Sequence, residues 1–220
     1  TFTDSLSVEV FAFYPDDTVK VSLSSGREFT FVGKGSIVLH QSDNLTMYSL
    51  NGKKSQSVTA AFYKIPKGRN VKVLSQYNPQ YTAGGDRGLI DQRRGGDNWK
   101  LGLWQGYWGN DFVAVLDLSS GEKVARVGAN FIQDQRSWIF MPYEVEYYVS
   151  DNGKDFKLLE VVPNDVPQRC EDVLQKTFFT TKTINHRYIK VVAKNIKTNP
   201  SWHLSQGEKS WLFTDEIVIE

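Results

Sequence analysis

The chain has 220 residues, enough for one large domain or two small ones; 40% are hydrophobic and 23% charged, which excludes general disorder. Lys plus Arg number 26 against 25 for Asp plus Glu, a formal net charge of +1. No basic excess marks a duplex nucleic-acid binder, and no stretch approaches the roughly 20 apolar residues of a membrane-spanning helix. The first residues carry no signal-peptide pattern, and Thr1 in place of Met leaves an excised piece of a longer chain as one expectation.

In chain order, the first part reads as short alternating strands. Val19–Leu23 and Glu28–Val32 alternate apolar and polar residues around Ser24-Ser25-Gly26-Arg27. Residues 36–39, 45–50 and 58–63 complete the set, with Asn51-Gly52 as a hairpin turn signal. Strands at this spacing predict a small β-sandwich. Ile65-Pro66-Lys67-Gly68 breaks pairing and places a boundary near residue 66.

The second part is also β. Residues 71–74 form its first strand. Residues 77–111, rich in Gly, Asp, Asn and Trp, read as a long loop, a feature that is functional or metal-organised when it occurs in a compact domain. Further strands are predicted at 112–118, 123–131, 143–150, 156–162, 176–181, 187–194 and 212–219, and period two through them predicts a sandwich with one buried face per sheet. Asp151-Asn152-Gly153-Lys154 supplies a tight turn. All six tryptophans lie after residue 98, so the two parts differ in composition.

Cys170 is the single cysteine, so no intrachain disulfide forms, and its polar neighbours favour an incidental thiol over a nucleophile. His40, His186 and His203 are scattered without zinc-ligand spacing, and no nucleophile elbow, P-loop or dinucleotide fingerprint is present. Asp215-Glu216 resembles a glycosidase pair only superficially. Neighbours on a regular strand point to opposite faces and cannot flank one bond. Asn44-Leu45-Thr46 matches a glycosylation acceptor, a match common by chance.

Six runs, in order, carry a family resemblance: Gly88-Leu89-Ile90-Asp91, Trp104-Gln105-Gly106-Tyr107, Val115-Leu116-Asp117-Leu118, Pro142-Tyr143-Glu144-Val145 with Tyr148–Lys154, Arg187–Val191, and Asp215-Glu216-Ile217. Together they make residues 66–220 resemble the coagulation-factor 5/8 type C, discoidin-like fold of carbohydrate-binding module family 32. The runs 138–142, 200–203 and 211–213 are similar to versions attached to bacterial family 20 β-hexosaminidases. Residues 1–65 resemble, more weakly, the Ig-like domain that follows the catalytic barrel in chitobiases. One departure is local: Gln92 follows Asp91 where the family has Gly.

The resemblance implies an all-β chain, an Ig-like β-sandwich at 1–65 followed by a discoidin-like jelly roll at 66–220. It implies a non-catalytic carbohydrate-binding region of an extracytoplasmic bacterial glycoside hydrolase, partnered by glycans containing GalNAc, GlcNAc or galactose and by the catalytic domain of the same parent chain. The alternative is a pair of accessory domains packing on a catalytic barrel without binding sugar. The resemblance also implies a structural calcium ion held by Asp91, Asp97 and Glu216 with the carbonyls of Gly88, Arg93 and Asp215. A hard cation of this kind collects six to eight oxygens, and glycine-rich loops let carbonyls turn toward it. Sugars present apolar C–H faces ringed by hydroxyls, which flat aromatics and planar polar groups recognise. Trp104, Tyr107, Gln133, Asp134, Arg136, Trp138, Trp202, His203 and Trp211 stand in the loops expected to meet one. Against this, large aromatics in a domain are more often packed than exposed.

Overall fold

Val10, Val19, Val21, Leu23, Ile37, Leu39 and Leu45 recur with period two, and all seven are buried in one cluster. That pattern builds the first unit, Thr1–Lys67, of the computed structural model, which describes residues 1–119 and 123–220. Its strands are β1 (Leu6–Phe11), β2 (Thr18–Leu23), β3 (Glu28–Val32), β4 (Lys34–Leu39), β5 (Asp43–Asn51), β6 (Lys53–Lys54) and β7 (Val58–Phe62). β1 pairs with β4, and β3-β2-β5-β6 forms a second antiparallel sheet that β7 joins through β5. The shared cluster between the two sheets makes the unit a β-sandwich, and each fully buried Val, Leu or Ile contributes about 1.5–3 kcal/mol. β1 was not foreseen, because its inward positions are only partly covered apart from Val10.

The second unit, Gly68–Glu220, is a larger β-sandwich. Its strands are β8 (Asn70–Val73), β9 (Gln105–Trp108), β10 (Phe112–Asp117), β11 (Val127–Gln133), β12 (Glu144–Ser150), β13 (Lys157–Pro163), β14 (Leu174–Phe179), β15 (Tyr188–Ala193) and β16 (Trp211–Ile219). One sheet runs β13-β12-β15-β10-β8 and the other β14-β11-β16-β9, every pairing antiparallel. The all-β architecture of two successive sandwiches is therefore what the sequence predicts. Pro163 ends β13 on an edge, where its missing N–H costs no ladder bond.

Between the sheets lies one core that includes Phe112, Leu116, Phe131, Val145, Ile189, Val191 and Leu212. Tyr147 crosses it from β12, donating to the Phe178 carbonyl at 2.5 Å and accepting from the Ala129 N–H at 3.0 Å. Burial pushes its phenol up strongly, so it stays a neutral donor. A second cluster, Trp104, Ile132, Ile139 and Phe213, is separate from this core. Phe131 and Ile132 alternate along β11 and enter different clusters, so this strand is covered on both faces and every residue of it is buried. The cover comes from the segment expected to be a bare loop. It contains two short 3-10 turns, Asp86–Ile90 and Trp99–Leu101, and the strand β9, whose four residues are too few and too uniformly covered to alternate.

Asp43 anchors the turn of the first sandwich. Burial raises its carboxyl, but the Ser25 and Ser24 hydroxyls and the Ser25 and Asn44 N–H groups outweigh that and hold it below the ordinary 3.8. A depressed carboxylate stabilises the fold above the unfolded value and loses that contribution as pH falls through the folded one. Protection of 18–32 and 43–51 against hydrogen exchange, relative to intrinsic rates, is thus expected to fall below pH 3.8. Asp43→Ala should weaken protection near neutrality by about 1–3 kcal/mol and flatten this acid dependence.

Candidate functional site

Three loops gather at one end of the second sandwich, because β11 ends beside the start of β14 and β12 begins beside the end of β13. They are 134–143 after β11, 164–173 before β14 and 194–210 before β16. Buried loop backbone needs hydrogen-bond partners, and here a side chain supplies several. Buried Gln135 donates from Nε2 to the Gln168 carbonyl at 2.9 Å and accepts at Oε1 from the Cys170 N–H at 3.0 Å. Its own carbonyl accepts from His203 Nε2 at 2.9 Å. One residue thereby joins all three loops. Asn195, also buried, ties the third loop to the β9–β10 connection, bonding the carbonyls of Tyr107, Asn110 and Ser210.

An open cleft of about 330 Å³ lies among these loops. Gln135, Arg136 and Trp138 line it from the first loop, Arg169, Cys170 and Glu171 from the second, and Trp202, His203, Leu204 and Ser205 from the third. Trp138 and Trp202 are each half-buried. Trp138 adopts φ 65°, a left-handed conformation that costs a non-glycine residue about 1–2 kcal/mol. Its N–H bond to the Gln135 carbonyl at 3.0 Å and its stacking on Trp108, centroids 6.0 Å apart, hold it there. Trp202 packs edge-on against Phe140 and His203, with the Arg169 guanidinium 5.7 Å over its ring. Its buried Nε1 has no hydrogen-bond partner among the described residues, so packing alone fixes the ring. Arg136 and Glu171 form an exposed ion pair at 3.5 Å across the rim.

Several sequence expectations need correction. Trp104 is fully buried, donates from Nε1 to the Gly96 carbonyl at 3.1 Å and cannot meet a ligand. Tyr107 is likewise fully buried in the main core, its hydroxyl bonded to Gln105. Gln133 is buried and accepts from the Met141 N–H. The Asp134 carboxylate is committed to Trp99 Nε1 at 3.0 Å and Ser137 Oγ at 2.7 Å. His203 uses both ring nitrogens internally, since Nδ1 accepts from the Ser205 N–H; only its ring faces the cleft. Trp211 stands outside the cleft, packed on Trp108 and Tyr81. The cleft keeps Arg136, Trp138, Trp202 and His203 from the expected set. It adds the 169–171 segment, for which the only sequence signal was a polar run before a strand.

The residues expected to hold calcium form a second constellation. Opposite Asn130, β16 bulges: Ala129 pairs with Ile217, but Phe131 pairs with Thr214. Consecutive Asp215 and Glu216 therefore both turn to the same covering segment, contrary to the alternation expected of a regular strand. Asp215 accepts from Gly95 N–H at 2.7 Å and Asn130 Nδ2 at 2.8 Å, with Arg94 Nε 3.8 Å away. Glu216 accepts from the Gln92 N–H at 3.1 and 3.2 Å. Gln92 takes φ 64°, so the turn after Asp91 passes through a left-handed residue that is not glycine. Gly95 is required by contact, for a Cβ there would lie 2.1 Å from the Trp104 Nε1.

This cluster gathers carboxyl groups out of water, and burial works against their ionisation. Burial pushes Glu216 up to about 9, with the Gln92 N–H opposing and the charges of Asp91 and Asp215 adding. Burial also raises Asp215 and Asp91. The oxygen donors of Asp91 and Glu216 are of the kind a hard cation takes. Asp97 is exposed, and one of its oxygens accepts from Gln175 Nε2 at 2.6 Å. Among the described residues no three His, Cys, Asp or Glu side chains converge to hold a metal unaided, so carbonyls would have to complete any ligand set.

No protein-family model and no curated protein sequence matches the chain. Solved structures do. One is a family 32 carbohydrate-binding module from Clostridium perfringens in complex with GalNAc-β-1,3-galactose, at 12% identity over 69% of this chain and 94% of that one, TM-score 0.42. Another is the family 32 module of Clostridium perfringens NanJ in complex with galactose, at 16% identity over 69% and 92%, TM-score 0.42. A third is the C-terminal domain of a chitobiase from Bacteroides fragilis, at 14% identity over 68% and 92%, TM-score 0.38. Likeness this distant transfers no ligand and no residue role. No helix among the described residues is long and apolar enough to cross a membrane.

Gln135→Ala removes one donor and one acceptor from buried partners. It is expected to cost about 1–3 kcal/mol and to speed hydrogen exchange at 168–170, while 203–205, held by the residue-135 backbone carbonyl, and the strands of both sheets keep their protection.

Proposed function

We propose that residues 68–220 are a non-catalytic glycan-binding module whose site is the loop-end cleft. The observation that carries this is the pairing of two half-exposed tryptophans, Trp138 and Trp202, with a movable charged rim, Arg136, Arg169 and Glu171, in an open cleft. The tryptophan rings offer apolar faces to a pyranose, and the rim groups match its hydroxyls. The contact area is small and loop ordering offsets part of the gain, so affinity per site is on the order of 0.1–1 mM. Such a module works by raising the effective concentration of an attached enzyme near polymer. The parent that suits this role is an extracytoplasmic bacterial glycoside hydrolase of β-hexosaminidase type, its catalytic domain in the same chain and the present region its accessory part.

A second reading has one observation of its own. On the first unit Phe11, Phe13, Tyr14 and Val32 are all exposed, and Phe13 packs edge-on against Tyr14. Exposed aromatic patches suit a protein contact, so residues 1–67 are the part best fitted to pack on a catalytic barrel. Calorimetric titration with galactose, GalNAc, GlcNAc and chito-oligosaccharides separates the two. Saturable heat with at least one sugar is expected, and Trp202→Ala should weaken it tenfold or more, about 1.4 kcal/mol. Silence from every sugar at millimolar concentration would leave only the accessory reading.

We also propose a structural calcium ion, held by Asp91, Asp97 and Glu216 with carbonyls of Gly88, Arg93 and Asp215. Bound there, it would favour the ionised form of these carboxyls and tie the covering segment to β16. Thermal unfolding should then rise in calcium relative to a chelator, by about 2.7 kcal/mol at a hundredfold excess over the dissociation constant. Glu216→Gln should abolish that rise. Identical unfolding curves with and without calcium would defeat the assignment.

A further inference from the structure

The loop-end cleft is not the only opening on this end of the second unit. A further cleft of about 340 Å³ is lined by Gln80, Tyr81, Trp99, Lys100 and Gly102. A run of ring contacts leads from one to the other. Trp138, on the wall of the first cleft, stacks on Trp108 at 6.0 Å and 16°. Trp108 meets Trp211 at 4.6 Å, Trp211 meets Tyr81 at 5.4 Å, and Tyr81 meets Trp99 at 5.7 Å. Tyr81 and Trp99 are walls of the second cleft. Asp134 adds a polar link, since it accepts from Trp99 Nε1 and directly precedes Gln135 and Arg136 of the first cleft.

These five rings come from well-separated stretches of chain, yet all five are half-buried. Trp104, Tyr107 and Phe112 are fully buried, whereas Tyr81, Trp99 and Trp211 pack against the Trp104 cluster and keep part of their surface open. A contiguous strip of partly open aromatics between two clefts is the kind of surface that marks a binding groove. The second cleft carries its own hydroxyl-reading groups, the exposed Gln80 amide and the Lys100 ammonium, the latter 5.2 Å from the Trp99 ring centroid. A single terminal sugar would use the first cleft and leave the strip bare.

We infer that the ligand is a polysaccharide segment of several sugar units, lying along the strip from the Trp138–Trp202 cleft to the Tyr81–Trp99 cleft. The inference rests on the glycan-binding reading above and adds the ligand's length and the second subsite. Successive ring centroids stand 4.6–6.0 Å apart, so the strip is continuous; only Trp138 and Trp108 are stacked, while Trp108–Trp211 is tilted and Tyr81 meets Trp211 and Trp99 edge-on, so the strip offers a chain a series of separate apolar patches rather than one flat platform.

The test is calorimetric titration of the whole chain with N-acetylglucosamine and with chito-oligosaccharides of increasing length, and in parallel with galactose and β-1,4-galacto-oligosaccharides. Affinity should rise about tenfold or more from the monosaccharide to the longest oligomer, as each further occupied subsite adds contact without a new association cost. Gln80→Ala with Lys100→Ala changes two exposed side chains and leaves the fold intact. This pair should remove about half or more of the length-dependent gain and leave the monosaccharide affinity unchanged. Equal affinity at every length overturns the inference while the glycan reading stands, and so does a gain that survives the paired substitution undiminished. Silence at every length overturns both, and where binding is measured Trp202→Ala should weaken all lengths alike.

Discussion

Buried loop backbone has to find hydrogen-bond partners, and at the loop end of the second sandwich one side chain meets much of that demand. Gln135 holds the 168–170 backbone with its amide and the 203–205 loop through its own carbonyl. Without these bonds the loops would carry orphaned polar groups, each costing about 1–3 kcal/mol, and the cleft would have no fixed walls. With them, Trp138 and Trp202 are held at the surface by their surroundings rather than by their own preferences. Trp138 even sits in a left-handed conformation. Preorganisation of this kind matters most where binding is weak, because loop ordering would otherwise consume the small gain from stacking.

A second constraint is the irregularity of β16. A regular strand would send Asp215 and Glu216 to opposite faces, one of them into the main core. The bulge opposite Asn130 turns both toward residues 91–97, where backbone N–H groups and Arg94 meet them. The covering segment is thereby tied to the sheet at two adjacent points, and Gly95 can lie directly on the Trp104 indole. Trp104, Ile132, Ile139 and Phe213 close into a cluster beneath it. Cover, acidic cluster and aromatic strip are thus consequences of one arrangement: the outer face of the smaller sheet is buried by residues 77–104, and the rings at the edge of that cover remain partly open.

Much of the fold was legible in the residues. Period-two alternation located most strands, and the Pro66–Gly68 break lies where the two units divide, between Lys67 and Gly68. β1 and β9 escaped because alternation fails when a strand is half-covered or covered on both faces. The site was less legible for a related reason. A tryptophan's identity says that it is large and flat, but not which side of a sheet it will reach. Trp104 and Trp138 look alike in sequence; one lies under the covering segment and the other on the wall of a cleft.

The amino-acid sequence by itself determined the β class, the division into two units, the acidic pair at Asp215-Glu216 and the concentration of aromatic side chains in the second unit, because these follow from local periodicity and composition. Only the tertiary structure decided that the pair shares one face, that Gln135 rather than Gln133 organises the loops, and which rings stay open. Those outcomes depend on a strand bulge and on contacts between segments far apart in the chain, and no local pattern encodes either.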